Sequence, residues 1–125
     1  MSCLFNSVGA LMNLTGAAVR EDVANFLERE RASETMGGTG TTLESLISAA
    51  EDRCFDEYLS DMRRATTWGG GPELSAVCYV YDVDVRVMCS SGAEVNFTVR
   101  DGAPLVLVLH YTGNHYTPMR TIRKA

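Results

Sequence analysis

The chain reads as an α+β domain in which helices pack on one small, mostly antiparallel sheet. Two observations carry that expectation. Apolar residues recur at helical spacing as far as Tyr81, and beyond it the period drops to two. The chain has 125 residues, 46% apolar and 22% charged, which suits one core, so residues 1–125 are read as a single domain.

The first helix is expected from Cys3 to about Leu14. Leu4, Val8, Leu11, Met12 and Thr15 share a face, Asn6 and Ser7 stay at the rim, and Gly16 acts as the stop. A second helix spans roughly Val19 to Arg31, with Val19, Val23, Phe26 and Leu27 inward and Glu21, Asp22, Glu28 and Glu30 toward water. Met36 to Thr42 is glycine-rich, but it has no Lys-Ser/Thr pair and follows no strand. It therefore reads as a connector rather than a phosphate cradle, with Thr41 or Thr42 capping what comes next.

A third helix covers about Leu43 to Asp52, burying Leu43, Leu46, Ile47 and Ala50. A fourth runs from about Cys54 to Arg64 on Phe55, Tyr58, Leu59 and Met62. Trp68-Gly69-Gly70-Gly71 interrupts the pattern. Pro72 then opens a fifth helix to Tyr81, which buries Leu74, Val77, Cys78 and Tyr81.

Val83, Val85 and Val87 alternate with polar residues and mark the first strand. Val95, Phe97 and Val99 point inward from the second. Leu105 to Leu109 is apolar on both faces, as a central strand is. Thr112-Gly113-Asn114 turns the chain, and His115 to Met119 is the last strand. Pro118 argues for an edge there, and Arg120 to Ala125 is expected to fray.

Composition narrows the function classes. A net charge of −5 with scattered acidic residues argues against nucleic acid and suits a basic protein partner. No run of about 18 apolar residues exists, so no membrane span is expected, and no signal peptide is visible. Cys3, Cys54, Cys78 and Cys89 form no C-x-x-C pair and no H-x-x-x-H accompanies them. No metal and no cofactor is expected, and reduced thiols point to the cytoplasm.

The chemistry rests on two residues far apart in sequence. Cys3 stands at a helix N-terminus, where free backbone N–H groups favour the thiolate, and His115 near the far end offers a base. The plainer alternative is that Cys3 is a small buried apolar residue. His110 continues the central strand and reads as structural.

Three blocks then carry a family resemblance. Cys3-Leu4-Phe5-Asn6-Ser7 resembles the cysteine box of the OTU (ovarian tumour) deubiquitinating cysteine proteases. Phe55-x-x-Tyr58-Leu59-x-x-Met62 with Trp68-Gly69-Gly70 and Glu73-Leu74 is similar to the middle block. Val83 to Val87, Leu105 to Leu109 and Gly113-Asn114-His115-Tyr116 resemble the histidine block. The compact size and the form of the cysteine box look more like viral members than animal ones, and the setting of a viral member would be the host cytoplasm.

The resemblance implies Cys3 as nucleophile and His115 as general base. It places oxyanion-binding amides near Ser2 and Cys3, and sets Trp68, Gly69, Gly70 and Asn114 beside the cleft. Where many members carry Asp or Asn two residues after the histidine, this chain has Thr117. The enzyme is then a Cys-His dyad or has Thr117 as a weak third member. The acid that many members carry before the cysteine is absent here, where only Met1 and Ser2 precede Cys3, or it was cut away with a longer polyprotein. The implied partner of the monomer is ubiquitin or a ubiquitin-like modifier, cleaved after its Gly-Gly tail. The other classes are a catalytically weak or inactive ubiquitin-binding module and a viral polyprotein-processing protease.

Overall fold

The change of period after Tyr81 becomes a change of structural layer. The computed structural model describes residues 3–34, 40–64 and 70–124. Among them α1 spans Cys3–Met12, α2 Gly16–Arg29, α3 Leu43–Glu51, α4 Phe55–Met62 and α5 Gly71–Tyr81. Four strands follow: β1 Asp84–Cys89, β2 Glu94–Phe97, β3 Leu105–Tyr111 and β4 Tyr116–Arg123. Their order in the sheet is β2-β1-β3-β4. The inner pair β1/β3 is parallel and both outer pairs are antiparallel, so the sheet is mixed and mostly antiparallel.

Val85 and Val87 of β1 and Leu107 and Leu109 of β3 belong to one apolar core with Leu4, Phe5 and Val8 of α1, Val19, Val23 and Leu27 of α2, and Leu74 and Val77 of α5. Phe55, Tyr58, Leu59 and Met62 are all buried, as their spacing predicts for α4. α1 lies against both β3 and β4, which sets the first helix beside the last strand.

The first two helices pack closely, and two glycines show why. A Cβ on Gly9 would fall 2.5 Å from the Leu14 carbonyl oxygen, because Asn13 takes a left-handed conformation and the Leu14 N–H bonds back to the Gly9 carbonyl at 2.8 Å. A Cβ on Gly16 would fall 1.7 Å from Asn6 Oδ1. Gly16 therefore does not stop α1. It opens α2, whose N-cap is Thr15, with Thr15 Oγ1 accepting from the Ala18 N–H at 3.1 Å. Thr42 caps α3 in the same way.

Other expectations are corrected by what each element has to pack against. Leu46 is 41% exposed and Ala50 is exposed, because α3 turns only its Leu43–Ile47 edge to the core. Val95 is 44% exposed on β2, an edge strand with a single neighbour. Tyr81, expected inside, is half-buried.

The basic tail does not fray. β4 continues to Arg123 opposite Leu105, and the Lys124 N–H reaches the Pro104 carbonyl at 2.9 Å. Without β4, the outer side of β3 would leave its backbone groups unpaired. Pro118 does sit on an edge strand, beside a bulge: it faces Leu109 while Arg120 faces Val108, leaving Met119 as the extra residue.

Candidate active site

Cys3 is the first residue of α1, with no carboxylate in that first turn to neutralise the helix N-terminal amides. Cys3 is 9% exposed, at the rim of the core. One turn further along, Ser7 is not a rim residue as its polarity suggests but is buried. Its hydroxyl oxygen lies 2.6 Å from the Cys3 carbonyl oxygen and 3.1 Å from the Tyr116 carbonyl oxygen. Tyr116 is the first residue of β4 and directly follows His115. Segments more than a hundred positions apart thus meet at one buried hydroxyl.

The turn that presents His115 is held by its own polar groups. The Thr112 N–H donates to the His115 carbonyl at 3.1 Å, and the Tyr111 hydroxyl donates to the Gly113 carbonyl at 2.6 Å. Gly113 has φ 105°, a left-handed value that suits glycine. The Thr112 hydroxyl donates to Asn114 Oδ1 at 3.1 Å, so the Asn114 side chain braces the turn. The His115 side chain is exposed.

Thr117, half-buried, stands opposite His110 in the β3–β4 register. Gly70 is the N-cap of α5, and its N–H donates to Glu73 Oε1 at 2.6 Å. Ser2, Trp68 and Gly69 lie outside the described residues.

Four residues around this arrangement were not singled out as site residues from the sequence. Ser7 is the first, although its helical phase, four residues after Cys3 and three after Leu4, signals burial. Tyr116 is the second. Its ring stacks on Tyr111 with centroids 4.5 Å apart. Burial pushes its phenol up to about 12, and the charges of Tyr111, Cys3, Cys89 and Glu73 act in the same direction. The phenol stays protonated within electrostatic reach of the Cys3 thiol.

Glu73 and Arg20 complete the set. Glu73 is buried and accepts the Tyr58 hydroxyl as well as the Gly70 N–H. Burial raises its carboxyl above the ordinary range, and those two hydrogen bonds pull it part of the way back. Arg20 is 4% exposed, donates to the Met62 carbonyl at 2.7 Å and lies over the Phe5 ring at 4.5 Å. Burial lowers its guanidinium, and the charge of Glu73 raises it. The signal for Glu73 was its place at the third position of a helix opened by Gly-Gly-Pro, where a carboxylate reaches back to the N-cap amide.

A thiol at a helix N-terminus, packed against a strand that directly follows a histidine, is a layout used by thiol hydrolases. The chain belongs to the OTU-like cysteine protease family, whose family model matches residues 2–116. The three motif blocks pointed to this same family. A curated relative, ubiquitin thioesterase OTU1 of Danio rerio, is 26% identical over 124 residues, which is 97% of this chain. The chain spans 38% of that relative's length.

Among solved structures, an OTU domain in complex with ubiquitin matches with a TM-score of 0.73 at 17% identity, over 98% of this chain and 69% of that one. The Hazara virus OTU bound to ubiquitin matches with a TM-score of 0.64 at 21% identity, over 98% of this chain and 77% of that one. These likenesses agree with the five-helix, four-strand mixed-sheet fold among the described residues.

Proposed function

We propose that this chain is a deubiquitinating cysteine protease that cleaves the isopeptide bond after the Gly-Gly tail of ubiquitin or a ubiquitin-like modifier. In this reading His115 accepts the Cys3 thiol proton, and the sulfur attacks the carbonyl carbon of the terminal glycine. The oxyanion that forms is held by unpaired backbone N–H groups at the start of α1, near Ser2 and Cys3. The intermediate collapses, His115 returns the proton to the departing lysine amine, and a thioester remains on Cys3. Water, deprotonated by His115, attacks the thioester. The modifier leaves with a free carboxylate and the thiol is restored.

Thr117 serves as a weak third member that biases the ring of His115. Residues 1–125 act as one domain and as a monomer, in a reducing cytoplasmic compartment (the host cytoplasm for a virus-encoded chain).

The observation that carries the proposal is the buried Ser7 bridge. It brings the Cys3 end of α1 against the residue that follows His115, in a chain whose family match spans both residues. Relatives of the same fold have been solved with ubiquitin bound.

The test is a ubiquitin carrying a thiol-trapping electrophile at its C-terminus. One ubiquitin is expected to attach per chain, at Cys3 by peptide mapping, and the adduct is expected to be lost in Cys3→Ala. Binding without an adduct would make the chain a non-catalytic ubiquitin-binding module. Neither binding nor an adduct, with cleavage of a viral polyprotein junction instead, would make it a processing protease.

A further inference from the structure

We propose that Ser7 is a positioning residue for this chemistry, whose hydroxyl clamps the first turn of α1 to the strand that begins immediately after His115. The inference rests on the Cys3–His115 reading and assigns a residue that the reading itself does not require. Ser7 is 3% exposed, so bulk water does not compete for its single hydroxyl proton. That proton has two carbonyl oxygens within reach, Cys3 at 2.6 Å within the helix and Tyr116 at 3.1 Å across to β4.

A buried serine in a helix is ordinarily satisfied by the carbonyl four residues back, and here that is Cys3. The local helix therefore gains nothing from the second acceptor. What the second acceptor adds, by sharing that one proton in a three-centre hydrogen bond, is a polar link between the backbone of the nucleophile's turn and the backbone next to the base. The apolar groups on the two sides pack without direction: Leu4, Phe5 and Val8 lie in the core, with the Tyr111–Tyr116 stack packed against it. Apolar packing keeps the two elements together without fixing how far the first turn of α1 slides along β4. A hydrogen bond falls off steeply with distance and angle, so it sets that register. Proton transfer from the Cys3 sulfur to His115 depends on the same register, and a displacement of about 1 Å can cost about a hundredfold in rate.

The experiment compares the full chain with Ser7→Ala, Ser7→Thr and Ser7→Cys, using a fluorogenic amide on the C-terminus of ubiquitin. It also follows alkylation of Cys3 by iodoacetamide against pH, resolved from Cys54, Cys78 and Cys89 by peptide mapping. Ser7→Ala is expected to lower kcat by about 10- to 100-fold with KM changed by less than about twofold, because positioning acts on the chemical step. Its Cys3 alkylation profile is expected to move toward that of His115→Ala, which a purely structural role would not produce. Ser7→Thr keeps the donor and is expected to recover most of the rate. If Ser7→Ala does not fold, Ser7→Cys fills a similar volume with a weak donor and is expected to show the same changes in smaller degree.

Parental kcat and a parental alkylation profile in Ser7→Ala, or in Ser7→Cys should the alanine variant not fold, overturn the proposal whatever happens to Tm. Failure of the parent protein itself to react at Cys3 overturns the hydrolase reading instead, before Ser7 is tested.

Discussion

Replacing Tyr58 with phenylalanine removes one oxygen from the buried Tyr58–Glu73 pair and leaves its packing in place. Tyr58 is 1% exposed, and its hydroxyl donates to Glu73, whose other oxygen accepts the Gly70 N–H. The ring contacts with Phe55, at 5.9 Å, and with the Arg53 guanidinium, at 5.7 Å, survive the change. What is lost is a hydrogen bond to a buried carboxylate, which contributes about 1.5–3 kcal/mol. For a chain of this length that corresponds to a fall in Tm of about 6–12 °C.

The effect depends on pH. Burial raises the Glu73 carboxyl, so the folded state keeps a proton over a range in which the unfolded chain has lost it. Stability from this group is complete at low pH and falls as pH rises through the folded value. The Tyr58 bond opposes that loss by favouring the carboxylate. Tyr58→Phe is therefore expected to cost more at pH 8 than at pH 5, and Glu73→Gln to flatten the dependence. Urea unfolding of the three proteins at both pH values measures it. A Tyr58→Phe protein within about 0.5 kcal/mol of the parent at pH 8, or with an equal penalty at both pH values, would falsify the reasoning.

Other outcomes are expected from the same structure. Cys3→Ala and His115→Ala abolish ubiquitin cleavage. Cys78→Ala, at a fully buried position, keeps turnover and loses about 1–3 kcal/mol in denaturant unfolding. Thr117→Ala costs about tenfold or less in kcat/KM, since a hydroxyl orients imidazole only weakly; inactivity equal to His115→Ala would make the threonine a full third member. Gly9→Ala destabilises by about 1–3 kcal/mol in the same assay, because its new Cβ meets a backbone oxygen rather than a movable side chain. The rate of ubiquitin adduct formation falls as salt rises, as a net charge of −5 attracting a basic partner surface requires. A salt-independent rate removes that steering.

Local physics wrote much of this protein into its sequence. Phe55, Tyr58, Leu59 and Met62 share a helical face, and Val85 and Val87 share a strand face, with Val83 buried just before it, so period alone places them inside. Cys3 at the start of an apolar helix and Gly-Asn-His-Tyr after an apolar strand carried the family, because those residue types in that order answer to one chemistry.

Pairing between distant segments was not legible. Nothing near Arg120 to Arg123 signals a strand; they form one because β3 has an open edge that needs hydrogen-bond partners. Gly16 looked like a helix stop and became a helix start, since the closeness of Asn6 on α1 decides which residue fits there. Ser7 looked like rim polarity, and Glu73 stood out only as part of a motif block. Their burial depends on β4, on Tyr58 and on Gly70, which only the folded chain brings to them. A polar side chain acquires its role from the partner it meets, and for each of these residues that partner is supplied by the fold, not by the helical period that places it.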